Sequence, residues 1–82
     1  MKGCDKMNRM KIRLNGTADV REFVYEAEKC DFDVDIQYES TIVDAKSILG
    51  IISLGLAKVL TVYCHGENPD FMNKIQKFAA AV

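Results

Sequence analysis

The side chains best suited to chemistry in this sequence are one histidine, three cysteines, a cluster of aspartates and a serine before an apolar run. The histidine, His65, directly follows Cys64. Because neighbouring residues of a strand point to opposite faces, these two side chains would share a metal site only with distortion. The cysteines are Cys4, Cys30 and Cys64. Three cysteines without paired spacing indicate reduced thiols in a cytoplasmic protein, so we expect inert thiols, no metal and no cofactor.

The aspartates Asp31, Asp33 and Asp35 have a spacing that resembles part of a calcium-binding loop. The glycine and the terminal glutamate of such a loop are missing here. Apolar residues separate the three acids, which is the alternation typical of a strand with one face in water. We therefore interpret the aspartates as the solvent face of a strand.

Charge is distributed unevenly along a chain whose formal net charge is −1. Residues 1–13 hold five bases and one acid, whereas residues 14–45 hold nine acids and two bases. A nucleic-acid-binding protein needs a broad basic face, and the acidic middle argues against one. No apolar stretch approaches the roughly 18 residues of a membrane span, and Met1–Met10 shows no signal peptide.

Alternating apolar residues predict four strands, of which residues 32–39 have the clearest pattern. The four predicted strands are residues 10–14, 32–39, 42–44 and 59–64. Between the first two strands, apolar residues recur at helical spacing from Val20 to Ala27, and we expect the helix to end near Cys30. Thr17 or Asp19 can cap this helix, and Asp19 with Glu22 fits a capping box.

The predicted element order is β-α-β-β-α-β-α, in which one-sided strands meet helices that are apolar along one stripe. This pattern implies two layers, an antiparallel sheet with helices on one face. The last helix is capped by Asn68, has Pro69 at its first position and carries an apolar face as far as Val82. We expect one domain over residues 10–82, preceded by a flexible segment over residues 1–9.

The second predicted helix follows Ser47 and is the most apolar stretch of the chain. Ser47 stands where an N-cap would stand, and Gly55 limits the helix to one or two turns. So short a helix needs packing to be stable. Its apolar residues are therefore either all buried or partly displayed to a partner. We expect Ile51 and Leu54 in the core.

The run Lys46–Lys58 resembles the regulatory-serine segment of HPr, the small phosphocarrier of the bacterial sugar phosphotransferase system. Its thirteen residues read KSILGIISLGLAK, with both serines and both glycines in the family's register. The resemblance implies an α+β, open-faced two-layer sandwich with three helices on one face of a four-stranded antiparallel sheet of order 1-4-2-3. It also implies that Ser47 is a candidate for phosphorylation by a dedicated kinase, at the positive end of a helix and beside Lys46.

The resemblance further implies a partner-binding surface on two helices. On the second helix the matching positions are Ile48, Leu49 and Ile52, which form an exposed docking patch in the family. A buried helix would explain the same three residues. On the first helix the matching outward positions are Arg21, Tyr25 and Glu28.

The phosphohistidine motif of the family is absent from the corresponding stretch, Leu14–Val20. The loop is shorter, Ala18 falls where the family has its arginine, and Asp19 makes the helix start negative. His65 lies after the fourth strand, which places it at the opposite end of the sheet from Gly16. We interpret it as a solvated histidine rather than a substitute.

The resemblance, with the serine kept and the histidine absent, implies a regulatory or adaptor binding protein of the HPr family, of the carbon catabolite control type, and not an enzyme. Its expected partners are proteins: an HPr kinase/phosphorylase, a transcriptional regulator or phosphotransferase components. Two alternatives remain open at this stage. One is a phosphocarrier with a relocated site, and the other is a structural domain that retains only the fold.

Overall fold

The computed structural model describes residues 9–80. Its strands are β1 (Arg9–Arg13), β2 (Val34–Tyr38), β3 (Thr41–Asp44) and β4 (Val59–Cys64). Its helices are α1 (Thr17–Ala27), α2 (Ile48–Leu54) and α3 (Pro69–Lys74), and a 3₁₀ helix, Ile75–Phe78, continues α3. This is the predicted element order. None of these helices is long and apolar enough to cross a membrane.

The four strands form one antiparallel sheet in the order β1-β4-β2-β3. The central strand β4 pairs with β1 from Arg9 opposite Tyr63, and with β2 from Val34 opposite Cys64. The hairpin β2–β3 completes the sheet, with Ile36 opposite Val43. This sheet and its three helices confirm the open-faced sandwich that the resemblance implied.

The core lies between the sheet and the helices, because alternate strand residues point toward α1, α2 and α3. Phe23 of α1 is fully buried, and its ring packs against the rings of Phe71 and Phe78 at centroid distances of 5.9 and 6.4 Å. The other large side chains that are almost fully buried are Ile12, Leu14, Val20, Val34, Ile36, Ile51, Leu60, Val62, Cys64 and Ile75. The core therefore contains Ile51, as predicted, and Leu54 at its margin with 8% exposed.

Helix α1 begins earlier than its sequence suggested. Its N-cap is Gly16, and no side chain caps it, so the predicted cap at Thr17 or Asp19 is wrong. The Asp19 carboxylate instead reaches back and accepts a hydrogen bond from the backbone N–H of Asn15, at 3.1 Å. Helix α1 ends at Ala27, and the chain continues to Cys30 in turns.

The predicted last helix is interrupted at Ile75. The chain tightens there into a 3₁₀ helix, in which residues three apart share a side, and this buries both Ile75 and Phe78. Ala79 then becomes extended and bridges Ile12, while the Ala80 N–H donates to the Lys11 carbonyl at 2.9 Å. The helix thus ends because the chain pairs with the edge of β1.

The segment expected to be flexible, residues 1–9, falls outside the described residues except for Arg9, which is the first residue of β1. The predicted helical position Val82 also lies outside the described residues.

Candidate docking and phosphorylation site

Ser47 is the N-cap of α2, as its position in the sequence predicted. Its backbone is extended, and its Oγ accepts a hydrogen bond from the Gly50 N–H at 3.0 Å. Its carbonyl accepts from the Ile51 N–H at 3.1 Å. The first turn of α2 contains no acidic residue. The hydroxyl therefore lies against a helix start whose free amides favour negative charge.

Gly50 lets α2 lie close to both the capping serine and strand β3. A Cβ atom on Gly50 would lie 3.1 Å from Ser47 Oγ and 3.3 Å from Val43 Cβ, tighter than ordinary contact. Ser53, which faces solvent, donates its hydroxyl to the Gly50 carbonyl at 2.6 Å. The second serine of the run is therefore not part of the helix cap.

Helix α2 divides its apolar residues between the core and the surface. Ile51 is fully buried, whereas Leu49 is 80% exposed and Ile48 is 38% exposed. Ile52 is half-buried and packs against the edge of the core. We call Ile48, Leu49 and Ile52 the α2 patch. Contact of Leu49 with a partner would remove its apolar surface from water, which is favourable.

The outward positions of α1 are also in solvent, and α1 packs beside α2. Arg21, Tyr25 and Glu28 are all exposed, Tyr25 at 60%. The ammonium of Lys29 lies 4.4 Å from the centroid of the Tyr25 ring, a cation–π contact that steadies the ring on the surface. We refer to the α2 patch and these three α1 residues together as the docking surface, after the role proposed for them below.

The side chain of Lys46 is directed toward the end of α1. Its ammonium donates to the carbonyl of Cys30 at 3.0 Å, just beyond the end of α1. Its backbone N–H is taken by the Asp44 carboxylate at 2.9 Å. The carbonyl orients this ammonium without neutralising it, so its positive charge and the helix amides both favour an anion at the start of α2.

The start of α1 is less suited to bind a phosphate than the start of α2. In residues 14–20 there is no histidine or arginine, and the Asp19 carboxylate already occupies the first turn, where it binds the Asn15 N–H. The chain before the helix is held by a hydrogen bond from the Ala57 N–H to the Leu14 carbonyl, at 2.7 Å. An added phosphate would meet a like charge at this position.

His65 lies at the far end of the sheet from Gly16, as predicted. It follows β4, whose last residues lie beside Arg9 at the beginning of β1. Its side chain is 54% exposed, and its Nε2 lies 2.9 Å from Oδ2 of Asp35. This contact was not foreseen, because it depends on the register of β2 against β4.

Two of the three cysteines are buried free thiols, and Cys4 lies outside the described residues. Burial, together with the neighbouring Cys30, raises the pKa of Cys64 to about 11. Burial also raises the pKa of Cys30. Both therefore remain protonated near neutral pH and are poor nucleophiles. Over residues 9–80, no group of three histidine, cysteine or acidic side chains could hold a metal ion.

A cavity of about 160 Å³ lies between the end of α1 and the start of α3, away from Ser47. It is lined by Glu26, Lys29, Asn68, Asp70, Phe71 and Lys74. None of the predicted site residues borders it. Its lysines and acids can neutralise one another in water, and we assign it no role.

Comparisons with known proteins identify the family and the fold. Residues 19–82 match the family described as "PTS HPr component phosphorylation site". The crystal structure of HPr-C-His from Thermoanaerobacter tengcongensis superposes with a TM-score of 0.71 at 24% identity, over 87% of this chain and 89% of that one. The phosphocarrier protein HPr from Bacillus anthracis strain Ames gives a TM-score of 0.68 at 22% identity, over 89% and 96%.

The two structural matches show the same fold, and the family match covers most of the sequence. That match includes α2, its capping serine and the docking surface, and it begins at Asp19, after the loop that leads into α1. The chain therefore belongs to the HPr family of the phosphotransferase system, whose members are phosphocarriers rather than catalysts in the usual sense.

Proposed function

We propose that this chain is a regulatory adaptor of its family, which binds protein partners through the docking surface and carries no phosphohistidine. The observation that carries the proposal is the exposure of Leu49, 80% in water, two residues from the serine that caps the same helix. The start of α1, where the family holds its histidine, supports the second part of the proposal, that the chain carries no phosphohistidine. It has an aspartate in the first turn and no histidine.

Ser47 is the residue through which such an adaptor would be regulated. Its side chain is partly exposed, so a kinase can approach it. A phosphate there would lie at a helix N-terminus without a carboxylate in the first turn, where negative charge is stabilised by about 0.3–1 kcal/mol. The fold would stay intact while the charge beside Ile48 and Leu49 changed. Modification would thus alter the choice of partner rather than folding.

The partners that suit this arrangement are proteins of the same regulatory system. A kinase/phosphorylase specific for HPr would read Ser47, and a transcriptional regulator or a phosphotransferase component would bind the docking surface. We place these interactions in the cytoplasm. In such a complex Leu49 and Tyr25 would be the apolar anchors, since they are large and well exposed.

The experiment that tests the proposal is labelling by an HPr kinase, followed by intact-mass and peptide mass spectrometry. We expect one acid-stable phosphate on the wild type, none on Ser47→Ala and one on Ser53→Ala. Ser53 is a matched control because it is exposed on the same helix and does not cap it. If the wild type is unlabelled while an authentic HPr is labelled in the same tube, Ser47 is only a structural cap.

A phosphocarrier with a relocated site is the second candidate, and His65 is the observation that favours it. Its ring is half-exposed and its Nε2 contacts a carboxylate, which can hold an imidazole in one orientation. Acid-labile phosphate transferred from enzyme I to the wild type, and lost in His65→Ala, would establish this candidate. A chain that accepts neither label and binds no partner would fit the third alternative, a structural domain.

A further inference from the structure

The sheet has a second face, opposite the helices. On this face the basic side chains lie on β1, uncharged side chains lie on β4, and the acidic side chains lie on β2 and β3. On β1 this face carries Arg9, Lys11 and Arg13, all exposed. On the central strand β4 it carries Val59, Thr61 and Tyr63, which are uncharged and half-exposed. On β2 and β3 it carries Asp35, Gln37, Ile42 and Asp44. We call these ten residues the open face.

The pairing register places the residues of the open face in rows that run across the strands. Arg9 pairs with Tyr63, Tyr63 with Asp35, and Asp35 with Asp44. The two ends of this row therefore carry charges of opposite sign, positive at Arg9 and negative at Asp44. The next row, in which Thr61 is central, runs from Lys11 on β1 to Ile42 on β3, which is 59% exposed. The face is basic along one edge, neutral in the middle and acidic toward the other edge.

We propose that the open face binds a second copy of this chain, sheet against sheet. A two-fold axis parallel to the strands lays the basic strand β1 of each copy over strand β3 of the other, which carries Asp44 on this face. The opposite charges of the row that begins at Arg9 then meet twice, once at each edge. A two-fold axis across the strands would lay β1 over β1 and bring like charges together. The charge pattern thus selects one isologous arrangement.

A polyanion or a membrane surface fits this face less well than a second copy does. Either would be attracted to β1 but repelled by Asp35 and Asp44 on the adjoining strands. The segment formed by residues 1–8 has three charges, Lys2, Asp5 and Lys6. Its two lysines could neutralise Asp35 and Asp44, but Arg9 would then have no acid opposite it. A second copy places Arg9 against Asp44 at both edges.

The size of the face implies a weak dimer. Four strands at about 4.8 Å spacing and five residues at about 3.4 Å give a face roughly 19 by 17 Å, smaller than the roughly 800 Å² per partner of a standard interface. We expect a dissociation constant of about 10–1000 µM at low salt. Because exposed charges supply the selectivity, about 0.5 M salt should weaken association at least about tenfold.

Sedimentation equilibrium of the full chain over a range of concentrations tests the proposal. Arg9→Glu or Asp44→Arg alone should leave monomers, since each places like charges together at both edges. A mixture of the two variants should form heterodimers, and one chain with both substitutions should dimerise again. These two charges lie at opposite edges of one sheet. A new contact between them within one chain therefore cannot explain the restored dimerisation.

Controls keep the result interpretable. Asp44 also accepts the Lys46 N–H, so Asp44→Asn, which keeps an acceptor oxygen, should weaken association while the fold survives in urea melts. Lys74→Glu and Glu67→Arg reverse exposed charges off the open face and should change nothing. The proposal fails if the wild type stays monomeric at low salt, as it would if its own residues 1–8 covered the face. It also fails if the mixed variants do not associate.

Discussion

The starts of α1 and α2 differ, although both helices lie on the same face of the sheet. Helix α1 begins at a glycine without a side-chain cap and has Asp19 in its first turn. Helix α2 begins at a serine whose hydroxyl caps it, and no acid lies nearby in the helix. The carboxylate at α1 therefore belongs to the first turn of the helix, whereas the Asp44 carboxylate at α2 lies before the helix and binds the Lys46 N–H. We propose on this basis that a phosphate would be held at α2 rather than at α1.

The largest expected effect concerns phosphorylation at the start of α1. We expect no acid-labile phosphate on this chain after incubation with enzyme I and phosphoenolpyruvate, because no histidine lies between Leu14 and Val20. Radiolabelling with an authentic HPr as the positive control measures this. A label that persists in His65→Ala would show that another residue carries phosphate, and the contrast between the two helices would then be wrong.

The next effect separates the buried side of α2 from its exposed side. Ile51→Ala should destabilise the protein by about 2–5 kcal/mol, as truncation of a fully buried isoleucine does. Ile36→Ala, in the sheet, is the matched core control and should behave alike. Leu49→Ala should change stability by less than about 0.5 kcal/mol. Urea melts measure all three.

Ile52→Ala tests the border of the α2 patch. Its side chain is half-buried, so we expect a smaller loss of stability than for Ile36→Ala, together with a greater loss in partner binding. Binding to an HPr kinase, measured by calorimetry beside the melts, separates the two effects. Should Ile52→Ala and Leu49→Ala both unfold the protein as readily as Ile36→Ala, the α2 patch would be core and not a docking site.

A smaller effect is expected at the capping serine. Ser47→Ala should cost about 0.5–2 kcal/mol, because it leaves the Gly50 N–H without its acceptor. Ser47→Asp should be nearly neutral, since a carboxylate can cap and also favours the helix dipole. Chemical melts of the three proteins suffice. Equal stabilities for wild type and Ser47→Ala would mean that the cap contributes nothing.

The smallest expected effect concerns the side-chain cap that α1 lacks and α2 has. Gly16 has an extended backbone, and nothing lies within 4 Å of an added Cβ. Gly16→Ser should therefore install the cap that α1 lacks and stabilise the protein by about 0.2–0.5 kcal/mol. A loss of stability would indicate that the Asp19 carboxylate and a serine hydroxyl compete for the same amides.

Local signals in the sequence predicted most of the fold and part of the site. The caps at Ser47 and Asn68 were predictable because each side chain bonds an amide three residues away. Strand alternation identified the buried faces correctly. The strand order came from the family resemblance, since periodicity alone does not specify which strands are neighbours.

The features that the sequence missed depend on contacts between distant residues. Lys46 bonds the Cys30 carbonyl, and His65 meets Asp35 only because of the register of β2 with β4. The last helix is cut short because Ala79 pairs with β1. Helix α1 starts at a glycine, whose lack of a side chain gives no capping signal. Local sequence patterns do not indicate these features, because the folded structure decides which distant residues meet.

The central claim is that partners bind the docking surface on α1 and α2. The most direct test is an NMR titration of the ¹⁵N-labelled chain with an HPr kinase, followed residue by residue. We predict perturbed amides at Ile48, Leu49, Ile52, Tyr25 and their neighbours, with the same signals unaffected in Leu49→Asp. Perturbations confined to β1 and β4, or none while an authentic HPr binds under the same conditions, would contradict the account.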